Sequence, residues 1–288
     1  MPTPPVTGPL CTRGSLAEDL RELGVRPGET LLVHSSLKSL GWVCGGAVAV
    51  VQAFLDALGE TGTLVVPTHS GNNSDPAHWE NPPVPEEWWD EIRAAIPAYD
   101  PATTPSYGIG VIPEAVRTWP GALRSAHPQT SFAAIGPGAA RITRGHALDC
   151  LLGERSPLAR LEDAGARVLL LGAGYDSCTS FHLAEYRVPG PMTEVSFAAM
   201  TPEGRTWLTV RDTSITSERF DELGADFERD KEVVRGTVGA AVSRLFPVRD
   251  AVAYAERWLP IHRPREEEAC PPSVGDPGPR AGGTLRPA

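Results

Sequence analysis

Two apolar strands that flank an apolar helix place the strongest constraint on the fold of this chain. Residues 30–34 read TLLVH, residues 62–67 read GTLVVP, and residues 47–58 between them form an apolar helical stretch. Continuous apolar runs of strand length are typical of strands that are buried on both faces, as in parallel strand–helix–strand units. This segment therefore predicts an α/β fold.

The loop between the first strand and this helix is polar and contains several hydroxyl groups and glycines. It also contains Lys38, and the only other lysine in the chain is Lys231. Loops at a helix N-terminus bind anionic groups, because the free backbone N–H groups and the helix dipole point toward the ligand. The loop therefore predicts an anion-binding site.

The rest of the chain alternates between strands and helices. Further strands are predicted at residues 131–135 and 167–171, with a hairpin at 194–200 and 206–210. Helices are predicted at residues 15–23, 85–93, 113–118, 179–187, 217–230, 238–245 and 249–258, and a capping box places the start of the first at Ser15. We therefore expect an α/β fold with a mixed, mostly parallel central sheet, flanking helices and long irregular active-site segments at 68–85 and 97–110.

No linker divides the middle of the chain, so residues 1–262 are predicted to form a single domain. Residues 263–288 are rich in Pro, Gly, Arg and Glu and are expected to be a disordered tail.

Composition limits the partners and the compartment. The formal charge of -10 argues against nucleic-acid binding and suits a cationic partner, although mild acidity also serves solubility alone. No signal peptide or membrane-spanning run is apparent, which predicts a cytoplasmic protein without a membrane partner. The five cysteines are widely spaced without a CxxC pair, so we expect reduced thiols and no zinc site.

The best candidate for catalysis is the pair His182 and Glu185. Their spacing of three places both side chains on one face of a helix. A carboxylate beside an imidazole fixes the orientation of the ring, as a general base that accepts a proton from an amine requires. The same spacing also fits an ordinary ion pair on a solvated helix face.

Cys178 lies four residues before His182 and could form a Cys–His nucleophile pair, or it could be a small buried side chain. Two glycine pairs, Gly108 with Gly110 and Gly172 with Gly174, resemble a dinucleotide-binding fingerprint but lack its third glycine. The remaining histidines do not show metal-ligand spacing and are expected to be structural: His34, His69, His78, His127, His146 and His262.

Carboxylates and indoles are interleaved in the irregular segments and recur in the helix at 217–230. Such side chains could receive the ammonium groups and sugar faces of a polycation, or they could cap turns and line a solvated helix. The candidates are Asp75, Trp79, Glu80, Glu86, Trp88, Trp89, Asp100, Asp221, Glu222 and Asp226.

Taken together, these segments resemble the aminoglycoside 3-N-acetyltransferase family, over roughly residues 15–259. The resemblance rests on separated segments in a fixed order: 33–38 (VHSSLK) with Gly41, Gly45 and Gly46, 75–79, 82–86 with Trp88 and Trp89, 97–100, 104–110, 124–128 with 131–132, 182–187 and 220–227.

The resemblance implies acetyl-coenzyme A as cosubstrate and a cationic aminoglycoside as acceptor. The acetyl group would go to the 3-amino group of its 2-deoxystreptamine ring, conferring antibiotic resistance. It implies direct transfer with His182 as the base, oriented by Glu185, without an acyl-enzyme and without a metal. It leaves open a monomer or a homodimer.

The resemblance also implies roles for two sets of residues. Those expected at the coenzyme are His34, Ser35, Ser36, Leu37, Lys38, Gly45, Gly46, Ser106 and Tyr107. Those expected at the aminoglycoside are Asp75, Trp79, Glu86, Tyr99, Asp100, Asp221 and Asp226. One departure concerns Tyr107, where many relatives carry an arginine that would suit a coenzyme phosphate.

Three alternatives stay open at this point. The chain could acetylate a different amine, such as a biosynthetic intermediate. It could transfer the acetyl group through Cys178, or it could bind aminoglycosides without catalysis and protect by sequestration.

Overall fold

The computed structural model describes residues 8–263, and the expected tail at 264–288 lies outside them. In chain order its strands and helices are β1 (Leu10–Cys11), α1 (Arg13–Glu22), β2 (Thr30–Ser35), β3 (Trp42–Val43), α2 (Gly46–Leu58), β4 (Thr63–Pro67), α3 (Trp89–Ala95), α4 (Val111–Arg117), β5 (Leu123–Arg124), β6 (Phe132–Ile135), α5 (Ala139–Thr143), α6 (Pro157–Asp163), β7 (Arg167–Leu171), α7 (Ser180–Arg187), β8 (Met192–Thr201), β9 (Gly204–Thr213), α8 (Phe220–Asp230), β10 (Val234–Val238), β11 (Ala241–Pro247) and α9 (Val248–His262).

The central sheet has seven strands in the order β10-β11-β7-β2-β4-β6-β5. Strand β2 pairs in parallel with β4 and with β7, and the four outer pairings are antiparallel. Because two successive antiparallel pairings restore the direction, β10, β7, β2, β4 and β5 all point the same way, which is five of the seven strands. The predicted α/β fold with a mixed, mostly parallel sheet is therefore confirmed.

Helices cover both faces of this sheet. Along β2, Leu31 and Val33 belong to an apolar cluster with α1, α2 and α4, whereas Leu32 belongs to a second cluster with α5 to α9. Alternate side chains of one strand thus enter two separate cores. Burial on both faces explains why β2 and β4 are almost continuously apolar in sequence.

One predicted helix is wrong, and several others begin or end at different residues from those predicted. Residues 238–245, predicted as a helix, form the turn and second strand of the β10–β11 hairpin, with Gly239 at a φ of 56°. Strand β11 covers the edge of β7, where alternate side chains such as Leu245 enter the core. Tertiary pairing here overrides local helix propensity. Helix α1 begins earlier than predicted, because Thr12 is its N-cap and shares a capping box with Ser15.

The predicted hairpin is confirmed, and its strands are longer than expected. Strands β8 and β9 form a separate two-stranded sheet. The irregular segments pack along β8: the side-chain amide of Asn73 bonds to both backbone groups of Ala198, and the N–H of Tyr99 donates to the same carbonyl. The hairpin thereby holds both irregular segments beside the sheet. In residues 8–263, none of the helices combines the length and apolarity that crossing a bilayer requires.

Candidate active site

Polar segments converge at the carboxyl ends of the three central parallel strands. Strand β2 ends at Ser35, β4 at Pro67 and β7 at Leu171, and each strand is followed by a polar loop. In open α/β sheets, ligands bind in the crevice outside the carboxyl ends of the strands. The candidate site therefore lies at this edge of the sheet.

Helix α7 brings His182 and Glu185 into contact, as their spacing predicts. The Nδ1 atom of His182 lies 2.6 Å from Oε2 of Glu185, and the imidazole packs against the ring of Phe220 at 4.8 Å between centroids. The other ring nitrogen, Nε2, has no hydrogen-bond partner within residues 8–263. A proton held on Nδ1 by the carboxylate leaves the Nε2 lone pair free to accept a proton from a substrate.

Glu185 is buried and accepts three hydrogen bonds. Besides His182, its carboxylate accepts from the backbone N–H of Thr216 at 3.2 Å and from the guanidinium of Arg263 at 2.6 Å. Neither donor was predicted from the sequence, in which Arg263 was expected to begin the tail. They lie 31 and 78 residues from Glu185 along the chain, so no local spacing could have indicated them.

Two further histidines lie near His182. Burial, together with the neighbouring His182, lowers the pKa of His34 to about 3, and the same two causes lower the pKa of His69 to about 3. Both rings are therefore neutral at neutral pH. His34 Nε2 lies 3.3 Å from the hydroxyl of Thr179, and His69 Nε2 is buried without a partner in the described part of the chain. His69 was expected to be structural, and it lies close to the His182–Glu185 pair, called the dyad below.

The loop after β2 is tied to the end of β7. The N–H of Ser36 donates to the carbonyl of Leu171, and the hydroxyl of Ser39 lies within hydrogen-bond distance of Ser36 Oγ and of the carbonyl of Gly172. Gly172 has a φ of 62°, and a Cβ atom there would lie 2.8 Å from Ser39 Oγ. Only glycine allows this close approach in a left-handed conformation.

The same loop suits an anionic ligand. Helix α2 starts at Gly45 and Gly46, both with positive φ, and has no side-chain cap and no acidic residue in its first turn. Lys38 is exposed and forms no ion pair within residues 8–263. Free N–H groups at a helix N-terminus and a nearby ammonium fit the phosphates of a coenzyme. Ser35 Oγ is buried nearby without a partner in this region.

The second irregular segment joins the site through Ser106 and Tyr107. The hydroxyl and N–H of Ser106 both donate to Oε2 of Glu114, and the N–H of Tyr107 donates to the carbonyl of His69. Burial would raise the pKa of Glu114, but hydrogen bonds from Arg117 and Ser106 outweigh it and lower that pKa to about 2. Ser106 is thus fixed by a carboxylate, while the Tyr107 ring is exposed.

A cavity of about 290 Å³ lies between the first irregular segment and the hairpin. Its wall includes Ile215, which immediately precedes the Thr216 that binds Glu185. Asp75 and Glu194 provide carboxylates. The lining residues are Ser74, Asp75, His78, Gln129, Leu151, Thr193, Glu194, Val195, Ser196, Thr213, Ser214 and Ile215.

One of the seven predicted aminoglycoside residues lines this cavity, and a second contacts a residue of its wall. Asp75 lines it and is paired with Arg93 at 2.7 Å. Burial tends to raise the pKa of Asp75, but the hydrogen bonds from Arg93 and from the N–H of Ala77 lower it overall. Trp79 donates its indole N–H to Ser74, which also lines the cavity.

The other five predicted residues do not line the cavity. Tyr99 is buried and donates its hydroxyl to the carbonyl of Ser125, and Asp100 accepts the N–H groups of the turn that follows it. Asp226 accepts from the indole of Trp258 on α9. Glu86 is exposed before α3. The N–H of Asp176 donates to Asp221, next to the Phe220 ring that contacts His182.

Cys178 is fully buried in the core between α7 and α8. Burial raises the pKa of its thiol to about 12, so the sulfur is not a thiolate at neutral pH. This environment fits the structural interpretation of Cys178 and argues against a role as nucleophile. Residues 8–263 contain no group of three or more His, Cys, Asp or Glu side chains arranged to hold a metal ion.

A family model described as aminoglycoside 3-N-acetyltransferase matches residues 32–260. The prophage-derived aminoglycoside N(3')-acetyltransferase-like protein YokD of Bacillus subtilis is 48% identical over 250 residues, covering 86% of this chain and 92% of the relative. Aminoglycoside N(3)-acetyltransferase VII of Streptomyces paromomycinus is 38% identical over 269 residues, covering 88% of this chain and 92% of the relative.

Solved structures show the same similarity. The crystal structure of YokD superposes with a TM-score of 0.86 at 46% identity, covering 88% of this chain and 94% of that one. A binary complex of AAC-IIIb with CoASH has a TM-score of 0.78 at 31% identity, covering 88% and 97%. AAC-VIa with bound sisomicin has a TM-score of 0.77 at 33% identity, covering 88% and 98%.

Proposed function

Because the chain belongs to the aminoglycoside 3-N-acetyltransferase family, we propose that it transfers the acetyl group of acetyl-coenzyme A to the 3-amino group of a 2-deoxystreptamine aminoglycoside. The observation that carries this proposal is the His182–Glu185 pair at the carboxyl edge of the parallel strands, with one ring nitrogen free. We further propose that the reaction occurs in the cytoplasm and confers resistance to the antibiotic.

The coenzyme is proposed to bind along the loop after β2. The N-terminus of α2 and the exposed ammonium of Lys38 would hold its phosphates, and the polar end of β2 at His34, Ser35 and Ser36 would face its thioester end. The complex of AAC-IIIb with CoASH supports a coenzyme site in this fold. At Tyr107, many relatives carry an arginine that would bind a phosphate of the coenzyme. Because this chain has tyrosine there, Lys38 is proposed as the cation that binds the phosphates.

His182 is proposed to act as the general base. Its Nε2 accepts the proton of the attacking amine as the new C–N bond forms at the thioester carbonyl carbon. The C–S bond then breaks, and the coenzyme thiolate takes the proton from the His182 imidazolium, which restores the free base. Glu185, bonded to Nδ1, stabilises the imidazolium that forms in between. General base catalysis of this kind contributes about 10²- to 10⁴-fold in rate.

The aminoglycoside is proposed to enter beside the hairpin cavity. Asp75 and Glu194 line that cavity, and the formal charge of -10 for the whole chain favours the approach of a polycation. The sisomicin complex of AAC-VIa supports an aminoglycoside site in a relative of this fold. Loss of one ammonium charge on acetylation weakens binding of the drug to anionic RNA.

A thiol-release assay tests this proposal directly. The purified protein is mixed with acetyl-coenzyme A, a thiol-reactive dye and a panel of aminoglycosides, and the product is identified by mass and NMR. We expect thiol release that depends on the drug, with acetylation at the 3-amino group. Sequestration releases no thiol, and a biosynthetic N-acetyltransferase of different specificity modifies none of the panel.

Two variants separate the base mechanism from thiol catalysis. We expect His182→Gln to lower kcat by about 10²- to 10⁴-fold and Cys178→Ala to keep most of the activity. The reverse result, or parallel double-reciprocal plots, would reject direct transfer. Expression of wild-type protein, but not of His182→Gln, should raise the aminoglycoside concentration that inhibits a susceptible bacterium.

A further inference from the structure

The carboxylate of Glu185 is shared between the imidazole and a cation from a distant part of the chain. Oε2 contacts His182 Nδ1 at 2.6 Å, and Oε1 contacts the Arg263 guanidinium, also at 2.6 Å. The positive charge of Arg263 partly compensates the negative charge of Glu185. The carboxylate therefore attracts a proton on His182 less strongly than it would alone.

Arg263 is held firmly in this position. Its Nη2 donates to the carbonyl of Thr216 at 3.0 Å, and its guanidinium lies over the Phe220 ring at 5.1 Å. The same ring contacts His182 at 4.8 Å between centroids. Arg263 and His182 thus share two neighbours, the Glu185 carboxylate and the Phe220 ring.

We propose that Arg263 is a positioning residue that sets the proton affinity of His182 by competing for Glu185. This inference rests on the proposed function, in which His182 must be neutral to accept a proton from the substrate amine. With Arg263 bound, Glu185 orients the ring without over-stabilising the imidazolium. Without it, the carboxylate draws a proton onto His182 more strongly, and less free base remains at neutral pH.

The other titratable groups near His182 do not supply this effect. His34 on β2 and His69 after β4 are neutral at neutral pH, because their pKa values are lowered by burial and by His182 itself. Helix α8 contributes the uncharged Phe220 ring, and the neighbouring Asp221 accepts the N–H of Asp176. Within residues 8–263, Arg263 is thus the only cation bonded to the dyad.

The position of Arg263 in the chain explains how it reaches Glu185. The family model matches residues 32–260, so Arg263 lies beyond the matched segment. Helix α9 ends at His262, and Arg263 directly follows it. The packing of α9 against α7 therefore places the Arg263 guanidinium beside Glu185.

The test compares pH profiles of variants of the full chain. In Arg263→Gln, we expect the acid limb of kcat/KM to move to higher pH by about one unit, with near wild-type rates on the alkaline plateau. Arg263→Lys keeps the charge and should keep the wild-type limb. Arg257→Gln removes the same charge from an exposed position on α9 and serves as the matched control.

A second readout does not depend on turnover. With ¹⁵N-labelled histidine and no substrate, the His182 ring signals should change over a pH range about one unit higher in Arg263→Gln than in wild type. This measurement stands even if the protein acetylates no aminoglycoside, so failure of the proposed function and failure of the Arg263 inference are distinguishable. If Arg263→Gln does not fold, Arg263→Met retains the aliphatic stem against Phe220.

Two results would overturn the inference. One is a uniform fall of kcat/KM at every pH, which a purely structural role of Arg263 produces. The other is an unchanged His182 titration in a folded neutral variant.

Discussion

Replacing Glu185 with glutamine is the most informative single change in the dyad. The carboxylate accepts from three donors, on His182, Thr216 and Arg263, whereas an amide has one oxygen and one NH₂ group. If the oxygen faces His182, the NH₂ opposes Arg263 and Thr216. If it faces them, the NH₂ opposes Nδ1 and favours the tautomer whose Nε2 carries the proton. Either arrangement loses the charge that stabilises the imidazolium.

The contact of 2.6 Å between His182 and Glu185 sets the scale of the loss. A hydrogen bond to a charged group contributes about 1.5–3 kcal/mol. Each 1.36 kcal/mol in the barrier is tenfold in rate, so kcat should fall by about 10- to 10²-fold. The unmatched donors should also lower the free energy of unfolding by about 1–3 kcal/mol.

The assay is acetyl-coenzyme A turnover with a saturating aminoglycoside from pH 5.5 to 9, together with thermal unfolding. Glu256→Gln is the control. It makes the same carboxylate-to-amide change, but Glu256 pairs with Arg187 away from the dyad. A Glu185→Gln enzyme with kcat within threefold of wild type across this range would refute the reasoning.

Three further predictions concern the loop, its anchor and the buried imidazoles. Lys38→Gln should raise KM for acetyl-coenzyme A about fivefold, since one charge contact is worth about 1 kcal/mol, and leave KM for the drug unchanged; an equal rise in both would contradict the assignment. Gly172→Ala should lower the free energy of unfolding in urea by about 2–5 kcal/mol, because alanine disfavours the left-handed φ and its Cβ would clash with Ser39. Adding Ser39→Gly to this variant should recover only the part of the lost stability that the clash causes. His34 and His69 have lowered pKa values, so their stabilisation is complete above pH 6.5 and is lost as pH falls toward about 3. The free energy of unfolding in urea should fall over that window with a slope of up to about 1.4 kcal/mol per pH unit for each ring, and less steeply in His34→Gln; a flat profile would rule this out.

The outcome for α7 shows what a local pattern can specify. The spacing of His182 and Glu185 depends only on the helical repeat, so the sequence predicts their contact once a helix is expected there. The same holds for the β2–α2–β4 unit, whose apolar runs and glycine-containing loop encode strands, helix and loop directly. Both features lie within short stretches of chain.

The predicted substrate residues show the limit of such reasoning. Composition identified carboxylates and aromatics in the irregular segments, but side chains such as Asp100 and Tyr99 bond to backbone groups within the fold. Whether a polar side chain faces a ligand or caps a turn depends on how the loop is folded back on itself. Residues 238–245 became a strand for a related reason, because β7 offered an edge to pair with.

By itself, the sequence determined the α/β class, the first strand–helix–strand unit, the polar loop after β2 and the pair on α7. The tertiary structure alone decided the strand order, the cavity beside the hairpin, the burial of two histidines near His182 and the ion pair between Arg263 and Glu185. The physical reason is range. Helical and strand periodicities act over a few residues, whereas a contact across 78 residues forms only when packed elements bring its two ends together.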